Sequence, residues 1–472
     1  MTKIKLLFQN IYLILFCVQT FPVVIDGLVF DGCVTETCHQ FAGNRARKQH
    51  ERIQVLNELR NKFSISDGNH WIGDLNFQEL IKQLQTRRLS AVQVLSTFIG
   101  RAVNATDEFN CVSEFIPDAM KWAIELDNLP HLKGPLHGVP FSHFNGICTI
   151  TSTPRRLSVE GIQSAIPKLV GLNGVPAILA DKPSTLTTIY KALTENNIQS
   201  HYDPTTVPLP WRPQLFEDKR PLRFGYFTSM PFFPTLGDTP LVIEETKRRL
   251  EALGHTVVPF EMPDGYVLMK TFLDILFADR AEYLFSQLED DQIATSNVLQ
   301  YSGLKIPALQ RKLASTLPVT GKQELLLKLG LDSEKSTGLQ TTVDVGKRLQ
   351  KYILQQMQDL NLDQLLTPVF PVPALRLDDP AKLFIALCYV SPWNLVEFPA
   401  GVIPMGIESG QNVDAVDTSG DVFLNLAKTN LLNAIGMPIG VQIVGRPFQE
   451  ELILRTLQEL ESSSKYYSFR RP

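Results

Sequence analysis

The chain has 472 residues, 44% of them hydrophobic and 20% charged, which is ordinary globular usage and excludes wholesale disorder. A formal charge of −4 and a pI near 6.1 supply no basic field for a polyanion, and no stretch alternates Lys/Arg with aromatics, so nucleic acid is excluded as a partner. Large α/β enzymes run this long around one core, so length alone does not set the number of domains.

At the N-terminus, Lys3 and Lys5 precede an uncharged run, 6–25, rich in Leu, Ile, Phe and Val. It reads as a signal peptide or a membrane anchor. No small-x-small cleavage site follows Val18, which favours an anchor and an endomembrane location, with the secretory pathway as the alternative. Arg45, Arg47 and Lys48 balance Lys3 and Lys5, leaving the orientation open. A luminal body would make Asn104-Ala105-Thr106 a glycosylation acceptor. Residues 1–25 are therefore expected to be anchor or signal, 26–73 a basic helical stalk, and 74–472 the main domain.

Cys33 and Cys38, with His39 beside them, could form a disulfide or half a metal site, but neither reading has a second half in the chain. Cys111, Cys148 and Cys388 sit among apolar residues and read as core. Within 44–63, Ile53, Val55, Leu56, Leu59 and Phe63 form an apolar stripe with helical spacing. Leu75, Leu80, Ile81 and Leu84 continue the helical period, and Ser90 with Gln93 predicts a capping box opening a second helix.

Two β-like segments follow almost at once, 134–142 and 146–151, separated only by His143, Phe144 and Asn145. A parallel crossover needs about a dozen residues, so the spacing leaves a hairpin as the alternative. Downstream, 221–226, 256–260, 365–367, 401–404 and 439–444 are strand candidates, with helical stretches at 241–253 and 450–460. The alternation predicts an α/β architecture with a mixed, mostly buried sheet.

Chemistry-bearing motifs are scarce: there is no G-x-S-x-G elbow, phosphate-binding loop, H-E-x-x-H or dinucleotide fingerprint. The informative strings are Leu362-Asp363-Gln364-Leu365-Leu366-Thr367-Pro368, Phe398-Pro399-Ala400-Gly401-Val402-Ile403-Pro404, and Gly436-Met437-Pro438-Ile439-Gly440-Val441-Gln442-Ile443-Val444-Gly445-Arg446-Pro447. On physical grounds each is a buried strand entered through Gly/Pro turns.

The last string, followed by Glu450, Glu451, Leu454 and Leu457, resembles the C-terminal block of the amidase signature family, and 134–140 resembles the strand before that family's catalytic lysine. The stretches 203–212, 220–226 and 245–256 resemble the animal fatty-acid amide hydrolases within it. The likeness runs from about residue 74 to 460.

The resemblance implies an amidase-type mixed sheet surrounded by helices, no cofactor or metal, a lipid amide or fatty acyl ligand, a membrane partner and a possible homodimer. It also implies a lysine that relays a proton through a bridging serine to a nucleophilic serine, beside a Gly/Ser-rich loop holding the oxyanion. That segment is missing. Aligned on Gly138-Val139-Pro140-Phe141-Ser142, the lysine position falls on Phe144, both serines are absent, and the chain passes into Gly146-Ile147-Cys148 and on to Arg156-Leu157-Ser158.

The expectation is thus a hydrolase-family chain truncated in its centre near 142–146 and inactive as written, either a shortened isoform or a gene-model error. The alternative is a pseudoenzyme that binds lipid or pairs with another subunit. A third reading, an active hydrolase with a rearranged site, has only His143 and Cys148 to offer, with no orienting acid. Residues 177–181 also depart from the family, where a Gly-Pro-x-Ala-Arg-like turn is expected. Ile306, Leu309, Leu313 and Leu317, with Lys305, Arg311 and Lys312, read as an interfacial or a core-packed helix. By resemblance alone, Val402 and Met405 line an acyl channel.

Overall fold

The structure, a computed structural model, describes residues 35–63, 70–110, 112, 115–140, 148–162, 169–287, 303–304, 306, 308–316, 320–328, 336–376 and 379–463. Helix α1 (Thr35–Lys62) lies along α3 (Ala91–Phe109), with α2 (Phe77–Gln85) between them in sequence. Asn76 caps α2, and Ser90 and Gln93 form the expected capping box on α3. The α3 N-terminus is further satisfied by Asp127, at the end of α4 (Ala119–Asp127), which accepts from Ala91 N at 2.6 Å and Val92 N at 3.0 Å.

The stripe expected on α1 is only partly used. Leu56 is buried, whereas Ile53 and Val55 are exposed, because polar groups make much of the contact with α3 and the chain just after it. Arg52 donates to Val112 O and Asn110 Oδ1, each at 2.7 Å, and Arg60 pairs with Asp107 at 2.6 Å.

Seven strands form one sheet among the described residues: β1 (Cys148–Thr151), β2 (Ala177–Ala180), β3 (Arg223–Tyr226), β4 (Thr256–Pro259), β5 (Gln364–Pro368), β6 (Ala400–Ile407) and β7 (Pro438–Gly445). Their order is β2-β1-β6-β7-β5-β3-β4, with β3 parallel to β4 and β5 and every other pair antiparallel. The mixed sheet and the five downstream strands agree with the periodicity reading.

The hairpin does not form among the described residues. Residues 134–140 are turn and coil, with Gly138 at φ 77° seated against Ala91 and Leu84, and 141–147 lie outside the described residues. Strand β1 pairs instead with β2 and β6. A pairing partner almost thirty positions away cannot be read from local spacing.

One sheet face is covered by α5 (Pro183–Thr194), α6 (Thr239–Ala252) and the C-terminal helix, with α7 (Gly265–Leu276) and α8 (Ser336–Asp359) elsewhere and the C-terminal helix labelled α9 (Glu450–Ser463). Ile150, Ile403, Val441 and Ile443 meet Ile453, Leu454 and Leu457 there in one core. Gly401 allows this approach: a Cβ on it would stand 2.7 Å from Leu457 Cδ1 and 2.8 Å from Ile453 Cγ2. The opposite face is covered over β5 and β7 by Ile353 and Met357 of α8 and by Trp393.

Candidate functional site

The site builds outward from β1, the first strand after the expected gap. Cys148 and Ile150 are fully buried toward α5 and α9, while the alternate residues Thr149 and Thr151 are half-buried on the other face. Thr149 pairs with Leu179 on one side and Val402 on the other, and Thr151 pairs with Ala177 and Ala400. Leu179 is 37% exposed and Ala177 is exposed, so among the described residues no helix covers the sheet here on the face that α8 covers farther along. Next to it, buried Gln442 donates from Nε2 to Thr367 Oγ1 at 3.0 Å and to Tyr389 O at 3.4 Å. Tyr389 in turn donates to Phe233 O at 2.6 Å.

Val402 and Met405 do not line a common wall. Val402 faces the open side, where its Cγ1 would stand 3.3 Å from a Cβ on Gly440. Met405 is buried on the covered side with Ile403 and Val441. Their odd spacing along β6 separates them, and the irregularity between Pro404 and Gly406 does not bring Met405 round.

Phe144 and His143 lie outside the described residues. Cys148 is a core side chain whose Sγ lies 3.8 Å from Asp181 O, on the side away from the open face. Ser158 Oγ donates to Asp203 at 2.6 Å, but the same carboxylate accepts from Thr205 N and Oγ1, making a loop clasp. Residues 177–181, where the family turn was expected, begin with β2 itself.

Sequence reasoning missed the buried ionic cluster just past β1. Arg156 and Glu451, both with fully buried side chains, pair at 2.6 Å, and Arg212 adds a second contact to Glu451 at 2.9 Å. Glu450 Oε1 accepts from Thr153 N at 2.8 Å, and Phe448 N donates to Thr153 Oγ1 at 2.7 Å. Both glutamates stand in the first turn of α9, where the helix dipole favours negative charge. The available signal was Arg155-Arg156 and Glu450-Glu451, two doublets of opposite charge beside apolar runs. Their contact spans 295 residues, so only the fold could join them.

Burial pushes the Glu450 carboxyl above its usual range, with Arg156 and the Thr153 N–H opposing. A raised pKa means that the folded state holds its proton more tightly, so this group lowers stability as pH rises through the ordinary glutamate value of about 4.3. Glu450→Gln keeps the acceptor for Thr153 and removes that titration. The variant is expected to gain stability relative to the parent as pH rises past that value, read from urea midpoints across pH. An unchanged difference would show that Glu450 is solvated.

Farther off, the short helix Ala308–Ala314 exposes Leu309, Lys312 and Leu313 and buries Arg311 and Ala314, while Lys305 and Leu317 lie outside the described residues. The run 6–25 is outside them as well, and among the described residues no helix is long and apolar enough to cross a membrane.

Residues 142–454 match the family described as Amidase. This chain belongs to the amidase family. The amidase is 23% identical to "Fatty acid amide hydrolase 1" of Caenorhabditis elegans over 507 aligned residues, covering 83% of this chain and 88% of that one. It is 29% identical to "Fatty-acid amide hydrolase 1" of Sus scrofa, covering 68% of this chain and 56% of the pig protein. A solved structure titled "Fatty acid amide hydrolase" superposes with a TM-score of 0.65 at 16% identity, covering 86% of the amidase and 88% of that chain, and shows the shared fold. The nematode alignment carries a further fact. Eighty-three per cent of 472 residues is about 392, so about 115 of its 507 positions have no counterpart in this amidase.

Proposed function

We propose that this amidase descends from lipid-amide hydrolases of the fatty-acid amide hydrolase type and does not itself hydrolyse amides, because the interval between Ser142 and Gly146 has lost the lysine and both serines. One observation supports the reading: the nematode relative aligns along 88% of its length, and about 115 of the 507 alignment positions hold no residue of this chain. Amide hydrolysis needs a nucleophile, a base to activate it and donors for the oxyanion. The open face at β1, β2 and β6 offers two threonines, an alanine, a leucine and a valine in their place.

The test is covalent labelling of the folded, purified chain by a fluorophosphonate serine probe, with the pig enzyme as positive control. No labelling is expected, and labelling at one serine per chain would overturn the reading. Sequencing transcripts across codons 138–150 decides between a shortened isoform and a gene-model error.

A lipid amide or fatty acyl ligand, a membrane partner and a homodimer belong to the same proposal. The membrane part is supported by the uncharged run 6–25 and by exposed Leu309 and Leu313 beside Lys312. The domain division at 25 and 73 follows from it. A mature chain beginning beyond residue 25 on N-terminal sequencing would replace the anchor by a cleaved leader. The same exposed leucines favour a second reading, a lipid-binding pseudoenzyme.

A further inference from the structure

We propose that this amidase pairs with a second copy of itself through an apolar patch at one end of the sheet, made by Leu241, Ile407, Leu432, Ile435 and Met437. The patch gives the homodimer named above a surface and rests on that reading.

Three elements meet to form it. Ile407 ends β6 opposite Pro438 at the start of β7, and Glu408 N donates to Met437 O at 3.0 Å across the same join. Leu432 stands in the last turn of the helix Val422–Asn433, and Ile435 follows in the turn after it, packed on Gly410, where a Cβ would stand 2.7 Å from Ile435 Cδ1. Leu241 lies in the first turn of α6, which reaches β6 because Val242 rests against Gly406. All five residues are 47–54% exposed. Residues of this size, half in water, leave roughly 450–500 Å² exposed, more than half of the ~800 Å² that each partner buries in a stable contact.

The backbone beneath the patch is held in place without a partner. Asp238 accepts from Ser409 N at 2.7 Å and from Asn412 Nδ2 at 2.6 Å, while buried Glu408 accepts from Asp238 N and Gly410 N, each at 3.0 Å. A rigid surface loses little conformational freedom on binding.

Charge selects the occupant. Segments 405–413 and 429–440 contain one charged residue, Glu408, and it is buried. Nearby charges are paired within the chain, Asp414 with Lys428 at 2.5 Å and, on α6, Glu245 with Arg248 at 2.9 Å. In a two-fold contact a residue near the axis meets its own copy, so a charge there would face its like, and an uncharged patch has none to repel. Exposed Ser409, Gln411 and Asn433 supply the polar rim. A membrane surface is a poorer occupant, because it is held by Lys, Arg and Trp beside the apolar residues and these segments carry none of them.

The test follows the native mass of the purified full chain in a mild detergent through a dilution series, with backbone hydrogen exchange on the same samples. A dimer is expected, with exchange at 407–411 and 432–437 slowed about tenfold or more relative to the diluted monomer. Ile435→Asp, which puts an unpaired charge on both sides of the contact, is expected to raise the dimer dissociation constant about 100-fold or more, and Leu309→Asp to leave it unchanged. Should Ile435→Asp fail to fold by circular dichroism, Leu432→Asp takes its place. A monomer at every concentration would overturn the surface and the homodimer together. A dimer indifferent to Ile435→Asp, or protected on other elements alone, would overturn the surface and leave the homodimer standing. A monomer whose binding to phosphatidylcholine vesicles falls with Ile435→Asp would assign the patch to a membrane and overturn the proposal.

Discussion

Replacing Glu451 by alanine is expected to lower the free energy of unfolding by about 3–5 kcal/mol, the usual cost of stranding one partner of a buried ion pair. Arg156 has a fully buried side chain, and its Nε and Nη1 have no hydrogen-bond partner among the described residues, so loss of Glu451 would leave the guanidinium with a 3.3 Å contact to Pro210 O and the field of buried Glu450. Arg212 would lose its carboxylate partner in the same stroke and keep only the Phe448 carbonyl. The damage should spread to β1, because the loop 152–156 is what ties that strand to the start of α9. Urea midpoints at constant slope measure the effect. A change below about 1 kcal/mol would mean that water reaches the pair. Replacing Arg156 and Glu451 together by methionine and leucine should recover much of the loss, since apolar side chains of similar size often serve a buried site as well as the ion pair does.

On the reading that the interval between Ser142 and Gly146 has lost the family's lysine and serines, grafting the corresponding segment of the nematode relative there is expected to raise lipid-amide hydrolysis by at least about 10³-fold over the parent chain. A nucleophile and its base act as a unit, and removing any member leaves only the residual from binding and oxyanion donors. On the same reading the parent lacks those donors, so its rate should equal the uncatalysed background. The graft should restore fluorophosphonate labelling at the same time. Amine release from a long-chain fatty amide provides the readout. A grafted chain that folds and takes the label yet gains no rate would show that elements outside the interval have also diverged. A parent already active would remove the premise.

Much of the fold was legible because its signals are local. The five strands from β3 to β7, the Ser90–Gln93 capping box and the helices over 241–253 and 450–460 all stand where apolar period, capping residues and Gly/Pro turns put them. Failures occurred where the deciding partner is remote. The α1 stripe misled because Arg52 and Arg60 claim the contact with α3 and its following loop, leaving Ile53 and Val55 in water. Val402 and Met405 were grouped by resemblance alone, though strand alternation sends them to opposite faces.

Family and strand content were readable from residue order, since each is a matter of which side chains stand within a few positions of one another. Tertiary structure decided the rest. It set β1 between β2 and β6, joined Arg156 to Glu451 across 295 residues, and left Leu179 exposed beside half-buried Thr149 and Val402. Pairing and burial depend on which surfaces meet after the chain has closed long loops, and no local pattern encodes that meeting.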